Sequence, residues 1–371
     1  MKPTQRLLSL DVFRGMTIAL MILVNNPGSW STVYAPFLHA DWHGCTPTDL
    51  VFPFFVFIMG VSISLALTKR KERGDDQKAI YIKILKRTFL IFLIGLLLHA
   101  IPYFNLSSLR IPGVLQRIAV VYGVCAIIFM RNNLKAQVWI TAGILLGYWA
   151  LMALVPVPGH GPANFEVGTN LSAWLDNQLL AGHMWSQTKT WDPEGVLSTL
   201  GTIGTGMLGV FTGTWLRQKM DDYQKLVGLF AVGAILIVGG LTWDLAFPIN
   251  KKIWTSSYTL YTGGLALQAL ALTYWLTDVL NYKKWTKPFV IFGMNPLFLY
   301  ALSGLLAKLL IYTKWDIGNG DSQSLWGYIY SNLFESLLSP YNASLAFAIS
   351  FVLIHLGVGW FLYKRKIFIK V

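Results

Sequence analysis

The chain has 371 residues, of which 54% are hydrophobic and only 13% charged, with 30 Lys and Arg against 17 Asp and Glu for a net charge of +13. Soluble domains carry about a quarter charged residues, and here the apolar residues come in long runs, which excludes a soluble multi-domain protein and points to one membrane domain over 1–371. The basic balance raises nucleic acid as a partner, but the positions of the cations argue for membrane orientation instead.

Apolar runs predict transmembrane helices near 8–26, 48–67, 85–103, 113–130, 136–155, 195–216, 226–246, 257–280, 288–312 and 343–363. The fold class expected is therefore an all-α bundle of about ten spans. With the N-terminus placed inside, 23 of the 30 basic residues fall on inside segments, which puts both termini in the cytoplasm. That pattern leaves no nucleic acid to invoke, and the bilayer becomes the first partner. No internal repeat stands out. Cys45 and Cys125 have no CxxC partner, and Cys125 lies in an apolar run, so no disulfide is expected. Asp11 and Arg14 interrupt the first apolar run, which argues against a cleavable signal.

On the first span Asp11 and Arg14 share a helix face and are expected to pair at the inner interface. Asn25 lies eleven residues beyond Arg14, about 16 Å along the helix at 1.5 Å per residue. That places it at the outer end, where a buried amide needs a partner. Three outer segments, 27–47, 156–194 and 313–342, are long enough to build a site. The first offers His39, Asp41, His43, Cys45 and Asp49 within eleven residues. Alternation in an extended strand would bring His39, Asp41, His43 and Cys45 to one face, but the spacing lacks the CxxC or HxxxH of structural metal sites, so no metal is expected. Thr48 or Asp49 suits the cap of the second span.

Arg110 and Arg117 flank the start of the fourth span, where an arginine faces a cavity or a partner. Donor phosphate and a structural ion pair both remain open for them, as for Lys251 and Lys252 outside. Asp192 followed by Pro193 and Glu194 reads as a helix start; acceptor binding is the alternative. Trp174, Trp185 and Trp191 are expected as interface anchors. Gly293-Met294-Asn295-Pro296 interrupts the ninth span without a counterpart in the other half.

The stretches LDVFRG, LVNN and HADWHGCTPTDLVFPFFVFIMGVSISL resemble the N-terminal signature of the heparan-α-glucosaminide N-acetyltransferase family. RIPGVLQRIAVVY (110–122), WDPEGVLSTLGTIGTGMLG (191–209), PINKKIWTSSY (248–258) and FGMNPLFLY (292–300) resemble its later blocks in the same order. The resemblance implies transfer of an acetyl group from acetyl-CoA to an amino sugar or glycan across the membrane. His39 then matches the catalytic histidine, as general base or transient acetyl carrier, and Asn25 the asparagine beside it. Arg110, Arg117, Lys251, Asn250, Ser256 and Tyr258 become the expected donor contacts. Asp41, Trp42, Asp49, Asp192 and Glu194 become the expected acceptor contacts. His43 and Asp41 depart from the family pattern, and the chain lacks the luminal N-terminal extension of the animal enzymes, so a bacterial-type inner-membrane protein is expected. A homodimer is expected by analogy alone. The rival reading is a secondary transporter of a sugar or envelope precursor; span centres nearly free of ionisable residues weigh against it.

Overall fold

The structure, a computed structural model, describes residues 7–318 and 321–369. Lys2, Arg6 and Lys370 of the orientation pattern lie outside the described residues. Thirteen helices are described: α1 (Leu8–Asn25), α2 (Val51–Arg73), α3 (Gln77–Ala100), α4 (Val114–Arg131), α5 (Leu134–Leu154), α6 (Leu171–Leu180), α7 (Thr199–Leu216), α8 (Asp222–Asp244), α9 (Ser256–Tyr274), α10 (Lys287–Met294), α11 (Pro296–Tyr312), α12 (Leu325–Tyr330) and α13 (Pro340–Lys364). The expectation of an all-α chain needs one amendment. Within 313–342, β1 (Lys314–Gly318) pairs antiparallel with β2 (Asp321–Ser324).

Six helices are long and apolar enough to cross a bilayer on their own: α1, α2 with its preceding turn, α4, α5, α8 and α13. The protein is thus an integral multi-pass membrane protein. Helices α3, α7 and α9 stand where three further spans are expected; α3 opens on Lys78, Lys83, Lys86 and Arg87, and α7 and α9 are rich in Gly and Thr. The span expected over 288–312 is not one straight helix. It is α10 and α11, meeting at 84°. Pro296 has no amide hydrogen to donate and disfavours helical backbone at the residue before it, and Asn295 accordingly sits at φ −130, ψ 52.

Helices α1, α2 and α4 form the inside of the bundle, whereas α5, α8 and α13 turn most of their surface outward. On α8 that outer face is Val227, Ile235, Val238 and Leu241, all exposed, as a lipid-facing surface requires. Small residues set the closest crossings. A Cβ on Gly209 of α7 would lie 2.0 Å from the Phe57 carbonyl oxygen of α2, and one on Gly60 would lie 1.9 Å from that of Gly206.

The start of α1 and the tail after α13 meet the same region. The Leu8 and Ser9 amides donate to the Asp278 carboxylate at 3.2 and 2.8 Å. At the α10–α11 break, the Asn295 side chain donates to the Ile367 carbonyl (3.1 Å) and accepts from the Ile369 amide (2.8 Å). Both ends of the described chain therefore lie at one end of the bundle, and the His39 loop lies at the other end of α1.

Candidate active site

The site is built where the loop after α1 turns back into α2. Pro47–Leu50 forms a 3-10 turn whose start is fixed by a reciprocal cap between Thr46 and Asp49. Asp49 is 1% exposed, so every lone pair must be used. One carboxylate oxygen accepts from the Ala40 amide (3.0 Å), the Thr46 amide (2.9 Å) and the Thr46 hydroxyl (3.0 Å). The other meets His39 Nδ1 at 2.7 Å and Lys251 Nζ at 3.5 Å. Tyr258, fully buried on α9, donates its hydroxyl to the Asp49 carbonyl. The residue expected as a helix cap or acceptor contact is therefore the partner of His39.

His39 keeps a 40% exposed side chain. It opens on a cavity of about 130 Å³ lined also by Asn25, Val114, Glu194, Lys251 and Tyr300. Desolvation in that setting holds its pKa below the usual histidine value, the Asp49 hydrogen bond works the other way, and the Lys251 ammonium adds to the lowering. Asn25 is exposed rather than buried, and its amide has no hydrogen-bond partner among the described residues. The buried amide at this end of α1 is its neighbour Asn26, which donates to the Ile22 carbonyl at 2.7 Å.

The metal-like cluster in the loop does not converge. His43 faces the Asn250 amide at 3.4 Å, and the Asp41 carbonyl accepts from Lys252 Nζ. The Cys45 thiol is pushed up to about 12 by burial, which keeps it protonated. Among the described residues no group of three or more His, Cys, Asp or Glu is placed to hold a metal ion. Trp42 donates to the Phe165 carbonyl (2.8 Å) and packs edge-on to Trp191 at 5.3 Å, joining the His39 loop to the 156–194 segment.

Of the expected donor contacts, only Lys251 enters the cavity. Asn250 is fully buried, and its side-chain oxygen holds the Lys252 and Ile253 amides at 2.8 and 3.1 Å; the turn it makes aims Lys251 at His39. Ser256 is buried against the Leu145 carbonyl at 2.7 Å. Arg110 grips two carboxylates, Asp192 at 2.6 and 2.9 Å and Glu194 at 2.6 Å. Arg117, 3% exposed, donates to the Gly195 carbonyl (2.8 Å) and the Ser198 hydroxyl and lies over the Trp254 ring. Both arginines thus brace the segment that carries Glu194.

Asp192 does not start a helix, since α7 begins only at Thr199. It is 2% exposed and also accepts from the Trp185 and Glu194 amides, at 2.9 Å each. The turn it closes points Glu194 into the His39 cavity. Two participants lie outside the candidates read from the sequence. Asp176, buried on α6, receives the Asp192 and Val196 amides and is raised to about 6 by burial. Tyr300 reaches the cavity from α11.

A second cavity, of about 350 Å³, lies on the far side of the same helices. Arg14, Ser62, Arg87, Tyr122, Gly293 and Ile369 are among its walls. Arg14 donates to the Ser62 hydroxyl at 2.7 Å and pairs with Asp11 at 3.4 Å, as expected of the i, i+3 spacing. On α2 the outer cavity ends at Phe52 and the inner one begins at Phe55; on α4 the pair is Val114 and Ile118, and on α11 it is Tyr300 and Leu297. One helical turn, about 5.4 Å, separates them.

Residues 6–226 match the family model described as Heparan-alpha-glucosaminide N-acetyltransferase, catalytic. Similarity extends over 99% of the chain to the protein named heparan-alpha-glucosaminide N-acetyltransferase in Mus musculus, at 31% identity, and to that in Homo sapiens, at 29%. The chain spans 60% of the length of either relative.

Proposed function

Because this chain belongs to the heparan-alpha-glucosaminide N-acetyltransferase catalytic family, we propose that it is a membrane acetyltransferase that takes the acetyl group of acetyl-CoA and gives it to an amino sugar at its outer face. The observation that carries the reading is the His39–Asp49 pair opening onto a cavity that is also lined by Asn25, whose side-chain amide has no hydrogen-bond partner among the described residues. Asp49 accepts the Nδ1 proton, which directs the Nε2 lone pair away from the carboxylate and makes it the basic atom.

In the reaction, the neutral amine of the acceptor attacks the thioester carbonyl and a carbon–nitrogen bond forms. His39 Nε2 takes the amine proton. The Asn25 amide donates to the oxyanion, a contact of a kind that contributes roughly 3 kcal/mol in acyl transfer. Collapse of the intermediate breaks the carbon–sulfur bond, and the imidazolium returns its proton to the departing thiolate. Glu194, fixed by Arg110, supplies a carboxylate oxygen on the cavity wall that can accept an N–H of the acceptor amine. Direct attack needs only one such cavity, whereas a transient acetyl-His39 divides the same chemistry into two steps.

The two cavities end to end support a donor that enters at the basic end of the bundle, with its phosphates by Arg14 and Arg87 and its acyl arm directed along α2, α4 and α11 toward His39. Ten spans, cytoplasmic termini and a bacterial inner membrane complete the proposal, since the charge asymmetry orients the His39 loop outward. Proteoliposomes test it. Acetyl-CoA sealed on the side of the α2–α3 connection (74–76) should acetylate glucosamine supplied on the other side, and product formed only when both share the His39 side would refute this arrangement. Glucosamine carried across without acetylation would support a transporter instead.

A further inference from the structure

Lys251 stands in an unusual relation to the catalytic ring. Its Nζ lies 3.0 Å from His39 Nδ1 and 3.1 Å from Nε2. Cε1 lies between the two ring nitrogens, so an in-plane atom this close to both would collide with it; the ammonium is therefore displaced out of the ring plane on the Cε1 side. The same ammonium is 3.5 Å from the Asp49 carboxylate. We infer that Lys251 is a positioning residue of the acid–base step: it supplies the positive charge that buried Asp49 requires, so that His39 can rest on Asp49 as a neutral base instead of as an imidazolium.

The argument is one of charge balance. Asp49 is 1% exposed and needs one cationic partner. Two groups can provide it. If His39 did so, the ring would be protonated at rest and could accept nothing from the acceptor. With Lys251 in that role, the carboxylate and the ammonium cancel, and the ring keeps only its hydrogen bond to Asp49. The other groups that face the pair do not change this balance. Lys252, from the same turn, is turned to the Asp41 carbonyl. Glu194, from the segment before α7, is held by Arg110. Tyr300 of α11 and Asn25 of α1 are neutral, the Tyr258 hydroxyl is taken by the Asp49 carbonyl, and Cys45 stays a thiol. Burial holds the Lys251 pKa below the usual lysine value, with Asp49 and Glu194 opposing; it is the 3.5 Å contact with the Asp49 carboxylate that makes it the counter-ion.

The inference deepens the proposed acetyl transfer and rests on His39 being the base, so its test reads the ring directly as well as the reaction. The imidazole of His39 is titrated by histidine-labelled NMR in the full-length protein in detergent, with His39→Gln identifying the signal, in the wild type, Lys251→Met and Lys251→Arg. Loss of the ammonium should raise the His39 midpoint by roughly one pH unit, and Lys251→Arg should restore it. In the acetyl-transfer profile the acid limb should move to higher pH by the same amount in Lys251→Met, with kcat approaching the wild-type value at alkaline pH. An unmoved His39 midpoint in a folded Lys251→Met protein overturns the inference. So does a uniform loss of activity at every pH, which would make Lys251 a structural or binding residue. Wild-type protein without acetyl transfer would sink the proposed function and leave the NMR result standing on its own.

Discussion

Replacing Asp49 by Asn separates the chemistry of the site from its architecture. The carboxylate oxygen that accepts from the Ala40 and Thr46 amides at 3.0 and 2.9 Å can be replaced by the amide oxygen of Asn in the same place, so the turn into α2 keeps its cap. The Asn NH2 then faces His39 Nδ1, where a carboxylate stood at 2.7 Å. A donor meets a donor, the ring flips tautomer, and the basic lone pair is turned from the cavity to the wall. Loss of an orienting carboxylate in this way lowers turnover by roughly 10^3- to 10^4-fold, equivalent to about 4–5.5 kcal/mol of transition-state stabilisation. The KM for acetyl-CoA should change little, since Asp49 touches no donor in this account. Thiol release from acetyl-CoA in the presence of glucosamine measures both constants, and thermal unfolding in detergent confirms that the variant is folded. A folded Asp49→Asn protein retaining more than a tenth of wild-type kcat would refute the assignment of Asp49 as the partner that sets the His39 tautomer.

Three further outcomes follow from other parts of the structure. Arg110→Met leaves Asp192 and Glu194 without their shared cation, and breaking a buried pair costs about 3–5 kcal/mol; the unfolding midpoint should fall sharply, and an unchanged midpoint would show that the network holds nothing together. Gly209→Leu drives a side chain into the Phe57 carbonyl, where even a Cβ would stand at 2.0 Å. Size-exclusion chromatography should show loss of the monodisperse folded species, whereas Gly143→Ala, with nothing within 4 Å, should behave as wild type. Arg14→Met and Arg87→Met should each raise the KM for acetyl-CoA by roughly 10-fold, the value of one charge-assisted contact, without altering that for glucosamine. Equal effects on both substrates would remove the inner cavity from the donor path.

Much of the bundle was legible because a membrane span declares itself by length and apolarity, as α1, α2, α4, α5, α8 and α13 do. The bend at Asn295 was visible only as a Gly/Pro interruption; neither its 84° angle nor the Asn295 contacts with the tail, 72 and 74 residues away, can be read from that pattern. In the site, His39 and Asn25 were singled out, but not their surroundings. His39 and Asp49 are ten residues apart, and nothing in that spacing announces that Thr46 folds the loop so that they touch. Lys251 arrives from 212 positions away on a turn organised by Asn250. Arg110, Asp192 and Glu194 were each noticed singly, and their union required the tertiary fold. Asp176 lies in no motif and Tyr300 only ends the FGMNPLFLY block, because burial against a backbone amide or a cavity wall leaves no local pattern of its own.

The measurement that bears most directly on the central claim is multiple-turnover acetyl transfer to glucosamine by purified wild-type protein and by His39→Ala, each shown to be folded and monodisperse. Acetylglucosamine formed by the wild type, and reduced at least 10^3-fold in the variant, is the predicted result. Comparable turnover by both proteins would contradict it and remove His39 from the reaction.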